Sequence, residues 1–181
     1  MEDNRNILKL CSIFLRYPEE EWYQQEETYQ FIKSLKDSPP RKNLEYFWNY
    51  VTAVSWLEYC QNYVKQFDFS REHSLYLTYG VFGDKRERGL GFVKLKLEFA
   101  KAGYFIKDDE LPDYFPLILE FLSEAEDEFI QKLYYIHKKA IDQLYAELKN
   151  QRSPYAYVVA AALETLDTIV ASREAKTIGK G

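Results

Sequence analysis

The sequence predicts an all-α fold, a single-domain bundle of about seven to eight helices. Three observations predict it. Apolar residues recur at three- and four-residue spacing through most of the 181 residues. Prolines and glycines interrupt that pattern at intervals typical of helices. Strand-like alternation is almost absent, because the only example, residues 103–106, is too short to found a sheet. A bundle buries the apolar stripe of each helix against its neighbours.

The first third of the chain is predicted to hold three helices. The first covers the apolar positions of residues 7–15 and stops before Pro18, because the residue preceding a proline disfavours the helical conformation. We expect the second helix to begin at that proline, which suits a first turn, and to end at Leu35. The stretch KDSPPRKN, residues 36–43, then breaks the pattern, and one long helix is predicted over residues 44–67.

The middle of the chain is predicted to hold a short helix, a glycine-rich turn and a further helix. The short helix and the turn share the segment SLYLTYGVFGDKRERGLG, residues 74–91. Val93, Leu97 and Ala100 mark the helix that follows. Gly103 can adopt the left-handed conformation that often closes a helix, so we expect the helix to end there.

The segment DDELPDYFPLILEFLSEAEDE, residues 108–128, combines an acidic cluster, two prolines and an apolar run. Asp113 is predicted to cap a helix, because its carboxylate can accept hydrogen bonds from free N–H groups, and Pro116 suits the first turn. The apolar run at 117–122 is too long for one buried stripe of a surface helix. The pattern alone favours a helix that is buried all round, with its second apolar face also in the core.

Two long helices complete the predicted bundle, with apolar positions at residues 129–148 and 158–169. The last ten residues are polar and glycine-containing. We therefore expect one helical domain over residues 1–172 and a disordered tail over residues 173–181.

Composition and charge argue against several classes of protein. The formal net charge is −5, whereas nucleic-acid-binding proteins normally have a basic surface. No stretch approaches the roughly 20 apolar residues that cross a bilayer, and the charged start MEDNRNILKL does not resemble a signal peptide. We expect a cytoplasmic protein that is neither a nucleic-acid binder nor an integral membrane protein.

Side chains that carry catalysis or bind metals are sparse. Cys11 and Cys60 lie far apart within apolar helical patterns, which gives neither a disulfide framework nor a metal-ligand spacing. His73 and His137 are the only histidines, and we expect His137, which has no partner at i±4, to be a solvated helix residue. No serine lies in a nucleophile-elbow pattern. We predict no catalytic residue, no metal and no cofactor, and a helical enzyme is the least favoured alternative.

The basic turn GDKRERG, residues 83–89, has crowded charges between glycines. It lacks the preceding strand and the Gly-Lys-Ser/Thr of a phosphate-binding loop. Arg86 or Arg88 can join two helices by pairing with one of three carboxylates, Asp68, Glu110 or Asp113. Two alternatives remain open: an ordinary solvated loop, or a regulatory domain in which residues 80–91 bind a small anion.

Three stretches resemble the delta-chain assembly chaperones of respiratory nitrate reductase, the NarJ family. They are YVKQFDF at 63–69, GDKRERGLGFVKLKLEFAKAGY at 83–104 and DELPDYFPLILEFLSEA at 109–125, and the opening LCSIFLRYPEEEW at 10–22 is also similar. The most specific match begins at Glu110 with ELPDYFP, which looks like the counterpart of a Glu-Pro-x-Asp-His motif in related molybdoenzyme chaperones.

The resemblance implies an all-helical cytoplasmic chaperone without catalytic residues. Such chaperones bind the N-terminal segment of the apo catalytic (alpha) subunit and hold it for insertion of the molybdenum cofactor, so the expected partners are that peptide and the apo alpha–beta complex. Helix 113–122 would line a groove for an amphipathic client helix. The residues implied for client binding are Glu110, Pro112, Asp113, Tyr114, Pro116, Leu117, Glu120 and Phe121. Those assigned to the basic turn, as structural or client-binding positions, are Asp68, Asp84, Arg86 and Arg88.

The sequence departs from the family pattern where relatives carry histidines. Family members often have His-x-His-Gly before the basic turn, and this chain has Gly80 and Phe82 at the histidine positions. Tyr114 stands where the related motif has its histidine. Any role of those imidazoles, such as a response to pH, does not carry over to this chain.

Overall fold

The computed structural model describes residues 2–68, 74–78, 86–107 and 110–178, apart from the side chains of residues 86, 87, 177 and 178. Within these ranges the chain forms eight α-helices and no β-strand, and a single antiparallel bridge joins Tyr76 to Tyr114. The helices are α1 Glu2–Leu15, α2 Glu26–Ser34, α3 Pro39–Ala53, α4 Trp56–Phe67, α5 Arg86–Lys101, α6 Phe115–Glu124, α7 Asp127–Asn150 and α8 Tyr155–Ile178. The prediction of an all-α single-domain bundle is confirmed.

Helix α8 is the centre of the bundle. It packs against α1, α3 and α7, and α1 packs in turn against α6. Small side chains on α8 allow its neighbours to approach closely, since Ala161 and Ala162 are fully buried between the larger Val158, Val159 and Leu166. The rest of the core is contributed mainly by α1, α3, α6 and α7.

The stretch Tyr155–Lys176 of α8 is long and apolar enough to cross a membrane, by length and composition alone. The prediction that no stretch approaches that limit is therefore wrong here. Of the most apolar window of this stretch, 67% is buried inside the bundle, as expected for a core helix. Its apolar character is explained by contact with three other helices on several sides.

The predicted start of the second helix at Pro18 is wrong, because α2 begins at Glu26. Trp22 is buried against Phe14, with ring centroids 5.1 Å apart. The hydroxyl of Tyr23 donates to the carbonyl of Val54 at 2.6 Å. These contacts with other elements hold the residues before α2 in a turn, which local proline and glutamate preferences cannot reveal.

The single helix predicted over residues 44–67 is in fact two helices. Helix α3 begins earlier, at Pro39, and ends at Ala53, and α4 begins at Trp56. The break occurs where the side chain of Ser55 accepts a hydrogen bond from the backbone N–H of Glu58 at 3.3 Å. This capping hydrogen bond favours the start of a new helix at Ser55 over continuation of α3.

Helix α8 also continues six residues past the predicted domain end at residue 172. The extension contacts α7: Arg173 lies 3.9 Å from Glu128, and the hydroxyl of Tyr135 donates to Glu174. The tail predicted for 173–181 is thus helical up to Ile178, because α7 supports it. Residues 179–181 lie outside the described residues.

A helix begins inside the segment predicted as a glycine-rich turn. Residues 74–78 do not form the predicted helix, and α5 already includes Gly89 and Gly91. The prediction for Gly103 is confirmed, because its φ of 83° is left-handed and it follows the end of α5. Residues 79–85, which include Gly80 and Phe82, lie outside the described residues.

Candidate functional site

Asp113 is the buried polar centre of the region before α6. It is fully buried, and its Oδ2 accepts hydrogen bonds from the backbone N–H and the hydroxyl of Thr78. Arg88 Nη2 lies 3.3 Å from the same oxygen, and Arg88 Nε donates to the hydroxyl of Thr78 at 3.1 Å. The three side chains form one network that joins residues 74–78, α5 and the start of α6.

The backbone reinforces this network. The N–H of Leu77 donates to the carbonyl of Asp113 at 3.0 Å, and the N–H of Phe115 donates to the carbonyl of Leu75 at 2.8 Å. Arg88 also lies over the ring of Phe92, 5.0 Å from its centroid. The pairing of Arg88 with Asp113 is one of those that the basic turn predicted, so at least this part of the segment fixes elements together.

The prediction that Asp113 caps α6 is wrong. The N-cap residue is Tyr114, and no side chain caps the helix, although Pro116 does lie in the first turn as expected. The carboxylate of Asp113 turns away from the helix because Thr78 and Arg88 offer it buried partners, which a charged group out of water requires. Those partners lie 35 and 25 residues away in sequence.

Helix α6 is buried over most of its surface. One side packs against α1, and Phe121 on the other side contacts Phe99 and Tyr104, with centroids 4.3 and 5.1 Å away. Leu117 is half-buried, and the exposed Glu120 forms an ion pair with Arg16. Of the two alternatives for the apolar run, the described residues fit a helix buried nearly all round.

The residues predicted for client binding therefore differ in access. The buried ones are Pro112, Asp113, Pro116 and Phe121, whereas those with accessible surface are Glu110, Tyr114, Leu117 and Glu120. A cation on a partner cannot reach Asp113 in this arrangement, since Arg88 and Thr78 already surround it. The role of this segment in binding stays a prediction.

The residues predicted around the basic turn are only partly described. Asp68 is the exposed C-cap of α4 and pairs with none of the described cations. Asp84 and the side chain of Arg86 lie outside the described residues. Because residues 86–91 are helical, the glycine turn that motivated the anion-binding alternative does not exist in that part of the segment.

An apolar surface on α5 is exposed instead of buried. Val93 and Leu97, which marked this helix in the sequence, are 58% and 55% exposed, and Leu90 is also exposed. The core side of α5 is formed by Leu95 and Phe99. Helix α5 carries apolar residues on both faces, and periodicity alone does not show which face packs against the core. Apolar residues on two faces of one helix were the sequence signal that an exposed apolar surface is possible.

This surface borders a groove between α5 and α7 of about 710 Å³. Its apolar lining includes Leu77, Leu95, Leu97, Ile136 and Ala140, and its rim carries four lysines, Lys94, Lys101, Lys132 and Lys139. Glu98 is the acidic residue among the groove's lining, and hydrogen bonds from Lys132 and Lys101 lower its pKa. The groove is thus apolar inside and positive at its edge. We call it the α5/α7 groove.

His137 lies in the lining of the α5/α7 groove and is not the solvated residue we expected. It is buried, and burial lowers its pKa from the usual 6.5 to about 4, against a smaller opposing effect of Asp113. Its Nε2 has no hydrogen-bond partner among the described residues. The imidazole is therefore neutral near pH 7. Helix α7 turns this position toward the core because Leu133, Tyr134, Ile141 and Leu144 share its face.

The structure describes both cysteines of the chain. Both thiols are free; Cys11 is buried, and burial strongly raises its pKa, whereas Cys60 is half-buried. Over the described ranges, His, Cys, Asp and Glu side chains form no group of three or more suited to a metal ion.

Comparison with known proteins identifies relatives across most of the chain. A family model described as "Nitrate reductase delta subunit" matches residues 34–161. The chain is 31% identical over 168 residues to the probable nitrate reductase molybdenum cofactor assembly chaperone NarJ of Bacillus subtilis (strain 168), with 91% of each chain covered. It is 30% identical over 169 residues to the nitrate reductase molybdenum cofactor assembly chaperone NarJ of Escherichia coli (strain K12), covering 91% of this chain and 71% of that protein. The resemblance seen in the sequence is confirmed.

Proposed function

This chain belongs to the nitrate reductase delta subunit family, and on that premise we propose that it is an assembly chaperone for a nitrate reductase. Family members are chaperones rather than catalysts, and this chain is not an enzyme. We propose further that it acts in the cytoplasm, where it binds the N-terminal segment of the apo catalytic subunit. It would hold that segment, within the apo alpha–beta complex, during insertion of the molybdenum cofactor.

The observation that carries the proposal is the exposed apolar surface of α5. Leu90, Val93 and Leu97 follow one another at spacings of three and four residues, so they lie on one face of the helix. Contiguous apolar surface on a soluble protein commonly marks a site that a partner covers. A chaperone that releases its client must have such a surface, because it is covered only part of the time.

The α5/α7 groove provides the complementary shape. A client helix with apolar residues at positions i, i+3, i+4 and i+7 can place them against Leu97 and Ile136, which line the groove and are both more than half exposed. The lysine rim would fix the orientation of the bound segment through its acidic or carbonyl groups. We propose this groove as the main client site and the accessible face of residues 110–120 as the alternative.

Substitutions in the groove test this assignment. Leu97→Gln and Ile136→Gln are each expected to weaken binding of a synthetic peptide of the catalytic subunit's N-terminus about tenfold, which corresponds to ~1.4 kcal/mol of lost apolar contact. Both side chains are exposed, and glutamine retains good helix propensity, so the free energy of unfolding should change by less than about 0.5 kcal/mol. Isothermal titration calorimetry and a melting curve for each variant give the two quantities.

The matched control is Leu57→Gln on α4, because Leu57 is 66% exposed and does not line the groove. It should leave peptide affinity unchanged. If Leu117→Ala weakens peptide binding and the two groove variants do not, the client site lies in the segment 110–120 instead. A peptide that fails to bind the unaltered protein would contradict the proposed function itself.

A further inference from the structure

A separate polar pocket lies where the turn between α7 and α8 meets α3 and α4. Its volume is about 360 Å³. Helix α3 contributes Tyr50, and α4 contributes Asn62, Lys65 and Gln66. The other wall is the turn, residues 151–155. This pocket shares no lining residue with the α5/α7 groove.

The charge of this pocket is positive, in a chain whose formal net charge is −5. Lys65 and Arg152 both line it, and no Asp or Glu does. Over the ranges that the structure describes, neither cation has a carboxylate within ion-pair distance. Two unneutralised cations that line one small pocket favour an anion there.

Ser153 supplies an independent indication of a ligand. Its side chain is only 6% exposed and lines the pocket, yet its hydroxyl has no hydrogen-bond partner among the described residues. Buried hydroxyls are normally paired, because an unpaired one costs about 1–3 kcal/mol. The residue lies two positions before Tyr155, the first residue of the 24-residue helix α8, whose N-terminal end is the positive end of its dipole.

The remaining polar groups are held in place by one another. Asn62 Nδ2 donates to the hydroxyl of Tyr50 at 3.0 Å, which leaves the O–H of Tyr50 free to donate. Gln66 Nε2 donates to Gln151 Oε1 at 3.2 Å. A ligand would therefore meet donors that are already ordered, which reduces the entropy lost on binding.

We propose that this pocket binds a small oxyanion, the phosphate group of inorganic phosphate or of a phosphate monoester. Lys65 and Arg152 supply the charge, and the hydroxyls of Ser153 and Tyr50 donate hydrogen bonds to the phosphate oxygens. Charge-assisted hydrogen bonds of this kind are about twice as strong as neutral ones. The site is independent of client binding and would give the protein a second, small-molecule ligand.

Titration of the full chain with inorganic phosphate and with adenosine monophosphate, at constant ionic strength in chloride, tests the proposal. Arg152→Asn is expected to weaken binding about tenfold, the equivalent of one charge-assisted contact. Asparagine suits this position because the φ of Arg152 is 55°, and asparagine tolerates the left-handed conformation. Ser153→Ala should weaken binding several-fold without lowering stability in phosphate-free buffer, because it removes a hydroxyl that has no protein partner.

The control is Lys36→Gln, which removes an exposed cation that lines neither this pocket nor the α5/α7 groove. Tighter binding of adenosine monophosphate than of phosphate would assign the site to monoesters, and equal binding would assign it to the free anion. The proposal is overturned if neither probe saturates the protein by about 10 mM, or if Arg152→Asn and Lys36→Gln weaken binding equally. Client-peptide affinity should be the same in Arg152→Asn as in the unaltered protein. The phosphate site and the chaperone function can therefore be contradicted independently of each other.

Discussion

Asp113→Ala is expected to lower the free energy of unfolding by about 3–5 kcal/mol, because it removes one partner of a buried ion pair. Asp113 is fully buried, and the side chain of Arg88 is only 14% exposed. Without the carboxylate, the guanidinium of Arg88 and the hydroxyl and N–H of Thr78 lose their shared acceptor. Urea unfolding followed by circular dichroism measures the change.

The size of this effect distinguishes the buried network from a helix cap. A capping aspartate costs about 1 kcal/mol when it is replaced by alanine, and the structure predicts several times that loss. The matched control is Asp142→Ala on α7, because Asp142 is exposed and pairs with Lys138. Exposed ion pairs contribute about 0–1 kcal/mol. Equal losses for the two variants would contradict the assignment of Asp113 to a buried network.

The network also changes how a loss of client binding would be interpreted. Since Asp113 touches no solvent, a substitution there can impair binding only by disturbing the elements it joins. Helix α5 is one of them, and it carries the exposed stripe proposed for the client. Asp113→Asn, which keeps the side-chain size, should therefore reduce stability and client affinity together, and raising the salt concentration should not mimic its effect.

The sequence predicted the fold class because that class depends on local pattern. The features that predicted it involve only a few consecutive residues: apolar runs with a period of 3.6, prolines at helix starts and a left-handed glycine at residue 103. The last two long helices were predicted correctly for the same reason. The split at Ser55 was missed because a serine is compatible with both a helix interior and a cap, and only the packing of α3 and α4 decides between them.

The site was less predictable because its key contacts are distant in sequence. Local sequence preferences predicted that Asp113 caps a helix. In the structure its carboxylate instead pairs with Thr78 and Arg88. A similar difficulty applies to α6 and α5, since both helices have two apolar faces and the sequence does not show whether both are buried. In the structure α6 is buried on both faces, whereas one apolar face of α5 is exposed. Single-sequence periodicity contains no information on that choice.

Acidification is expected to destabilise the protein through His137 by up to about 3 kcal/mol between pH 6.5 and pH 4. Burial lowers the pKa of this histidine to about 4 in the folded state, whereas the unfolded chain has the usual value of 6.5. Between those values the unfolded state binds a proton that the folded state does not. The stability is therefore complete above pH 6.5, falls as the pH decreases toward 4, and levels off below it.

The charged groups near His137 affect the size of this change. Asp113 favours the protonated imidazole and opposes the effect of burial. The four lysines and Glu98 line the same groove, and the lowered pKa of Glu98 adds its own loss of stability as the pH falls below its usual range. A comparison of variants is needed to separate the histidine from these carboxylates.

His137→Leu provides that comparison, since leucine is of similar size, is apolar and does not titrate. Its stability at pH 7 can rise or fall with the packing, but the decrease between pH 6.5 and pH 4 should be smaller than in the unaltered protein by about 3 kcal/mol. Urea midpoints at half-unit pH steps measure both curves. Parallel curves for the two proteins would show that His137 is solvated in solution, as the sequence predicted, and would contradict its burial.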